Sequence, residues 1–563
     1  MLLEKVLLFL GTFFGSISFA SALGTSCSAP LGSGSAAAGD PYWLQTITHQ
    51  GTSAFNANPS SYQVFRNVKD FGAVGNGVTD DTAAINSAMS SGNRCGGGSC
   101  SSSTLTPAIV YFPSGTYLVS SAINTYYYTQ MIGDARSPPT LLASPAFLGF
   151  AVIDANPYIP NGYGAQWFTN QDSSYRSVRN IVIDLRLILP LTAAIGMHWP
   201  GSKATSLINV VVHMSTFPGN NHRGLVMESG DGGFMGDLVF NGGKNGMQVG
   251  GQDFTVRNLT VNNARSAIHM PSNLGWTFQG VTINSCETGF DLTPLKPVSS
   301  SKAIGSVAIV DAVVTNTPTF VGTPSASTGQ STGSLVLNNI KLNNVPTAVG
   351  VVGGATVLAG GTTTIASWGQ GNVYSRTSRT KTFAQGSIVP PSKPSNLLDS
   401  AGRIFGKSHP QYANYATSEI ISVKSQGAAG DGRTDDTAAI QNVINEYAGC
   451  KIIFFDAGSY YVTNTISIPA GTQIVGEAWS VILAGGSNFA SQDTPTVVVQ
   501  AGEANSQGVL EISDIIFSTV GPAPGAIMIE WNVHDPSGQQ GAAGMWDSHI
   551  RLGGGLSCQY VMF

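Results

Sequence analysis

Short β-branched triplets return at coil-like intervals between residues 181 and 283. Ile181-Val-Ile, Val210-Val-Val, Leu238-Val-Phe, Leu259-Thr-Val and Val281-Thr-Ile begin 29, 28, 21 and 22 residues apart, most of them directly preceded by Asn, Asp or Gly. Segments this short, separated by turns and without long helices, suit a solenoid of parallel β rungs. Each strand there bonds to the rungs above and below and every coil stacks its aliphatic side chains inward. The 68 glycines and the asparagines before the strands supply turns that require positive φ. A β-sandwich would place turns roughly every 8–12 residues, which fits these spacings less well.

The chain also repeats itself. Asp70-FGAVGNGVTDDTAAINSA-Met89 and Ser425-QGAAGDGRTDDTAAIQNV-Ile444 align without gaps, with 11 of 20 positions identical. Tyr111-FPSGTYLV then matches Phe454-FDAGSYYV, and Gln130-MIGD matches Gln473-IVGE, after a 12-residue insertion around Cys95 and Cys100 in the first copy. Each copy reads as a Gly-rich turn, a Thr-Asp-Asp-Thr helix start with Asp81 or Asp436 as N-cap, a short amphipathic helix and strands. Helix capping accounts for the paired carboxylates Asp80/Asp81 and Asp435/Asp436 better than catalysis or metal binding does. The Pro- and Ser-rich run from Pro390 to Tyr412 carries no rung pattern and reads as a connector.

At 563 residues the chain exceeds the roughly 250–300 at which one core stops growing. With 26 Lys+Arg against 31 Asp+Glu, net −5, it lacks the cationic surplus that nucleic acid rewards, and the same sign disfavours a polyanionic substrate. Met1 to Ala22, with Lys5, an apolar run to Phe14 and a small-residue end, reads as a secretory signal, so a secreted, extracellular product is expected. No later window is apolar enough for a membrane span. Six cysteines permit one to three disulfides, Cys95–Cys100 among the possible pairs. Asn258-Leu-Thr is the sole glycosylation sequon. There is no zinc spacing, phosphate loop or nucleophile elbow, so no cofactor and no metal are implied.

Tyr42-Trp43, His49-Gln-Gly-Thr-Ser-Ala-Phe55, the two Thr-Asp-Asp-Thr modules, Gly196-Met-His-Trp199 with Ala204-Thr-Ser206, Phe234-Met-Gly-Asp-Leu-Val-Phe-Asn-Gly-Gly243, Gly275-Trp-Thr277 and Leu397-Leu-Asp-Ser400 together resemble fungal glycoside hydrolase family 55. The likeness runs from about residue 42 to about residue 553. It implies an all-β fold of tandem right-handed parallel β-helices, pectate-lyase-like, and a secreted exo-acting hydrolase of laminarin-like β-1,3-glucan that inverts the anomeric centre. The expected organisation is a signal peptide at 1–22, a first β-helix at 23–380, a linker at 381–415 and a second β-helix at 416–563, acting as a monomer. The first copy runs from Val64 to about Gly350, the second only from Ile421 to Phe563, so the second helix is expected to be incomplete. The resemblance puts the proton-donating Glu past Gly544-Met-Trp-Asp547, beyond Phe563.

Inversion needs a carboxylic acid to protonate the leaving oxygen and a held water on the opposite sugar face, the two groups roughly 6.5–9.5 Å apart. Ser206, Ser229 and Gln252 sit where the family places small polar groups around its pocket and are candidates for orienting water or sugar hydroxyls, or else for hydrogen bonds within rung turns. Glu228 and, near it, Asp231 are the candidate carboxylates of the first helix; Asp231 also suits a turn cap. Trp199 and Trp276 are candidate platforms for a glucose ring, the alternative being buried structural tryptophans. Lys203 replaces a Gln common in the family and could disturb the attacking water. His198 beside Trp199 reads as a hydrogen-bonded packing residue rather than a base, and Glu477, the duplicate of Asp134, as a turn residue rather than a catalytic one. Two other functions remain open: a pectin-active, polygalacturonase-like enzyme, for which the signature motifs are absent, and a non-catalytic glucan-binding fragment.

Overall fold

The structure, a computed structural model, describes residues 23–97, 99, 103–169, 173–295, 305–328, 333–374 and 380–552. The expected signal peptide at 1–22 lies outside these residues.

The β-branched triplets stack as expected. Ile181 pairs with Val210, Val210 with Leu238, Leu238 with Leu259 and Leu259 with Val281, all in parallel register, and all five side chains are buried. The residue before each triplet is the corner of its coil: Asn180, Asn209, Asp237, Asn258 and Gly280 all have φ between 53° and 73°. Asn tolerates this left-handed region because its short amide bonds locally, and Gly because it has no Cβ. The corners also bond to one another, Asn209 Nδ2 donating to Asn180 Oδ1 at 2.9 Å and Asn258 Nδ2, in the sequon, to Asp237 Oδ1 at 2.7 Å. One turn further along the coil, Asn241, Asn262 and Asn284 form a second ladder with 2.9 Å steps.

The left-handed corner makes each coil three-sided. Before Asn180, the strand Arg176–Asp184 pairs with Thr129–Gly133; after it, the same strand pairs with Thr140–Asp154. The third side holds short strands such as Ile195–His198, Arg223–Met227, Asn245–Val249 and Ser266–His269. The coil ends in an antiparallel ribbon of Leu335–Val351, Thr356–Tyr374 and Lys381–Ser387. The ribbon's last strand lies inside the segment 381–415 expected to be linker; strand pairing therefore carries the first unit to Ser387.

The second copy repeats this plan. Gln473–Ala484 pairs with Ile452–Phe455 before its corner at Ala478-Trp479 and with Ser459–Val462 after it. Leu510–Thr519 turns its corner at Asp514, and the next rung, Ala543–Trp546 with His549–Arg551, turns at Asp547. The two units are thus parallel β-helices built on one pattern, each with its own aliphatic core.

The Thr-Asp-Asp-Thr modules are alike down to single bonds. Asp81 and Asp436 stand at the N-cap positions, yet their carboxylates accept from the Gly-rich turn: Val74 N at 2.7 Å and Gly75 N at 3.0 Å, and Ala429 N at 2.6 Å and Gly430 N at 2.9 Å. Asp80 and Asp435 hold Thr82 and Thr437 instead. All four carboxylates are engaged in shaping the turn.

The N-terminal segment, expected within the first helix, docks on the second. Gly24 N donates to Ala448 O at 2.9 Å, Leu31 N to Gly449 O at 2.7 Å, and a disulfide joins Cys27 to Cys450. Cys286 is free and buried; Cys95 is disulfide-bonded, while Cys100 and Cys558 lie outside the described residues. Further along, Tyr42 and Trp43 plug an apolar seam between the helices with Tyr111, Tyr412, Ile452 and Phe454, and both donate to Gln411 O. Glu477, read from the sequence as a turn residue, ties down this N-terminal strap: its Oε1 lies 2.6 Å from His49 Nδ1 and its Oε2 accepts from Ala457 N at 2.8 Å. A Cβ on Gly51 would come within 2.3 Å of that carboxylate, so only glycine lets the strap pass. Among the described residues no helix is long and apolar enough to cross a membrane.

Candidate active site

The corner residues Asp514 and Asp547 of the second helix point at the flat side of the first, where Ser177 and Arg179 share one rung and Ser206 pairs with Ser177 from the next. Arg179 is 3 % exposed and gives Nη1 to Asp514 Oδ2 at 2.7 Å and Nη2 to Asp547 Oδ2 at 2.6 Å, with a further bond to Asp514 Oδ1. Ser206 Oγ lies 2.7 Å from Asp547 Oδ2 and 2.8 Å from Ser177 Oγ. Its single proton goes to the carboxylate, so it accepts from Ser177. His549 Nε2 lies 3.0 Å from Asp547 Oδ1 and His409 Nε2 3.2 Å from Asp514 Oδ2.

Burial alone would raise the Asp547 carboxyl; the His549 bond, the Arg179 charge and the Ser206 bond outweigh it and hold the group well below the ordinary carboxylate range. Asp514 is depressed in the same sense, its burial overcome by Arg179 and His409. Arg179, despite desolvation, is raised by its two acidic partners. Both carboxylates are therefore ionised and unable to supply a proton near neutrality; Asp514 is saturated by Arg179, His409 and Gln130, and Asp547 is the one suited to hold a water or a sugar hydroxyl.

Above this floor opens a cavity of about 230 Å³ lined by Ser206, Phe234, His409, Trp546, Asp547 and His549, with residues of both helices on its walls. Phe234 is 36 % exposed and Trp546 half-buried, so two aromatic edges flank the charged floor. Trp546 is fixed by Nε1 donating to Lys407 O at 3.2 Å.

Of the residues singled out in the sequence, Ser206 lies in this cavity. Gln252 sits at a corner of the first helix, where its Nε2 donates to Asp231 Oδ1 at 3.0 Å, and Lys203 Nζ lies 3.9 Å from Asp231 Oδ2 with its side chain 80 % exposed. The Lys203 charge thus faces solvent and Asp231, and the residue is not among those lining the cavity. Ser229 is half-buried at the same corner. Glu228 is bonded to His198 and Tyr158, away from the cavity lining. Trp199 and Trp276 are each 1 % exposed and offer no sugar platform. Trp276 faces inward with Phe278, two residues on, stacks on Phe254 of the adjacent rung at 4.8 Å and donates to Gly251 O; the structural alternative holds for both tryptophans.

Asp514, Asp547 and Arg179 were not singled out by their chemistry. The signal existed for the first: Asp514-Ile-Ile-Phe follows the same rule as Asn180-Ile-Val-Ile, an Asn or Asp corner before a β-branched run. Among the described residues no group of three His, Cys, Asp or Glu is placed to hold a metal ion.

Twin parallel β-helices with a polar, aromatic-edged cavity between them define a protein of the pectate-lyase-like class. Comparison with known proteins agrees. Residues 65–291 and 420–540 match the family model described as rhamnogalacturonase A/epimerase, pectate lyase-like. A probable glucan endo-1,3-beta-glucosidase of Arthroderma benhamiae is 37% identical over 91% of this chain and 68% of its own length. A glucan 1,3-beta-glucosidase of Cochliobolus carbonum is 42% identical over 92% of this chain and 65% of its own. The chain thus spans about two thirds of the length of these curated relatives. Among solved structures, sacteLam55A from Streptomyces sp. SirexAA-E covers 90% of this chain and 66% of its own at 13% identity, with a TM-score of 0.40. The chain belongs to this pectate-lyase-like family and, with its fungal relatives, to glycoside hydrolase family 55.

Proposed function

We propose that the protein is a secreted, monomeric hydrolase that cleaves β-1,3-glucan from chain ends with inversion in the cavity between its two helices. The observation that carries this reading is the Ser206–Asp547–Arg179 contact, which joins the two helices at the floor of a cavity edged by Phe234 and Trp546. A cavity walled by both coils suits a chain end better than the middle of a long polymer. The named activities of the fungal relatives supply the substrate class.

In this reading Asp547 and Ser206 orient the attacking water. A carboxylate held this far below its ordinary range is a weak proton acceptor, so its contribution is to fix the water's position and lone pair. The proton for the leaving oxygen requires a carboxyl that is neutral near pH 7, and none of the described residues lining the cavity is one. The pectin reading draws no support from the cavity, where the ionised Asp547 carboxylate lies in the lining and repels a uronate.

The assay is release of glucose from laminarin set beside release from polygalacturonate and rhamnogalacturonan, with the anomer first formed followed by NMR. Glucose appearing as the α-anomer, from laminarin alone, is the expected result. Release from the acidic polymers, or none from laminarin, overturns the hydrolytic reading; retardation of the protein in laminarin gels with no release would identify a glucan-binding protein instead.

A further inference from the structure

On the outer flank of the first helix, a second polar cluster is built as deliberately as the first. His198 ends the strand Ile195–His198 and is fully buried. Its Nδ1 donates to Asp154 Oδ1 at 2.8 Å and its Nε2 to Glu228 Oε2 at 2.9 Å. Burial would lower this imidazole, but the bonds from both carboxylates push it up to about 9, so it is a cation near neutrality. Glu228 is correspondingly held below its ordinary range: desolvation is outweighed by the His198 bond and charge. The other oxygen of Glu228 accepts from Tyr158 OH at 3.0 Å, and the Glu228 side chain is 36 % exposed.

Two aromatic rings border this oriented carboxylate. Tyr158 lies parallel to the His198 ring at 5.7 Å, and Phe150 meets both rings edge-on, at 4.7 Å from His198 and 5.3 Å from Tyr158. Phe150 is 39 % and Tyr158 38 % exposed, and neither lines the cavity between the helices. Tyr158 is set in place by its bridge to Gln166 across the loop that follows Asp154. The interior is already filled, so the packing of the coil does not need two half-exposed rings around a buried cation. The arrangement offers apolar ring surface beside a fixed acceptor with lone pairs open to solvent, the complement of a sugar's C–H face and its adjacent hydroxyls. His198, Asp154 and Glu228 carry one net negative charge between them, which Arg176 near Asp154 and Arg223 near Glu228 offset, so the cluster presents no uncompensated negative charge that calls for a cationic ligand.

We propose that Phe150, Tyr158 and Glu228 form a saccharide-binding site on the flank of the first β-helix, separate from the cavity between the helices, which holds a neutral glucan chain. The choice of β-1,3-glucan among neutral glycans rests on the function proposed above. The site binds and does not cleave: both Glu228 oxygens are engaged by His198 and Tyr158 and its neighbour Asp154 is buried, so no second exposed carboxyl stands opposite it for acid and base work.

The test is depletion of the full chain from solution by insoluble β-1,3-glucan (curdlan), with insoluble xylan as the neutral comparison. Phe150→Ala with Tyr158→Ala is expected to weaken curdlan binding about tenfold, the usual effect of removing anchoring aromatics. Tyr158→Phe, which keeps the ring, is expected to restore most of the binding, and turnover of soluble laminaritriose is expected to be unchanged. Thermal denaturation checks that the variants fold. Binding of the double variant equal to the parent's overturns the site. Binding that depends on Tyr158 but prefers xylan keeps the flank site and overturns the glucan assignment, so the two failures are distinguishable.

Discussion

Replacing Arg179 by Leu is expected to destabilise the protein by about 3–5 kcal/mol, the scale for stripping one partner from a buried ion pair. The guanidinium is the shared counterion of Asp514 and Asp547, both with side chains 3 % exposed, and leucine would leave two buried carboxylates on neighbouring rungs of the second helix without it. Chemical denaturation at pH 7 measures the loss. The pH dependence gives a second signature. In the parent both carboxyls are depressed in the folded state, so their contribution is present above the unfolded aspartate value of about 3.9 and is lost as pH falls below it. In the variant the guanidinium's share of that depression is lost while His549, Ser206 and His409 still favour the ionised forms, so stability should fall less on acidification than it does in the parent. The further changes Asp514→Asn and Asp547→Asn should recover much of the stability. A loss under about 1 kcal/mol in Arg179→Leu, the range of a surface ion pair, would mean that the network does not hold the two helices together.

The second large effect is on turnover. Asp547→Asn keeps the shape of the side chain and leaves Arg179 paired with Asp514, yet it removes the charge that receives the Ser206 and His549 protons. Laminarin hydrolysis is expected to fall by about 100- to 1,000-fold in kcat, the range for removing one preorganised polar group at a reacting centre. KM should change little, since Phe234 and Trp546 remain. Melting near the parent temperature separates this outcome from unfolding. A variant with parental kcat would remove Asp547 from the reaction.

Much of the coil was legible before its structure. The parity of β-branched residues and the Asn, Asp or Gly before each run are local signals, because the chain itself must bend there and bury its aliphatics. The Thr-Asp-Asp-Thr duplication likewise announced two copies of one unit, although the hydrogen bonds put the second Asp of each pair on the Gly-rich turn. The cavity was far less legible. Ser206 came through the family resemblance, but which outward residues of one coil face the other depends on how two solenoids dock, and no periodicity within either coil records that. Asp514 and Asp547 look like any other corner residue until Arg179 is brought to them. Trp276 shows the converse error: its alternation with Phe278 already marked it as inward, and its chemistry as a sugar platform drew more weight than its parity. The ribbon strand Lys381–Ser387 escaped because it pairs with its neighbour antiparallel, outside the coil repeat.

The most direct test of a shared cavity is amide hydrogen exchange with and without laminarihexaose. The account predicts slowed exchange in two segments far apart in sequence, around Ala204–Ser206 with Gly233 and Phe234 on the first helix and around Trp546–His549 on the second. Unchanged exchange at both, with the sugar bound, would contradict it.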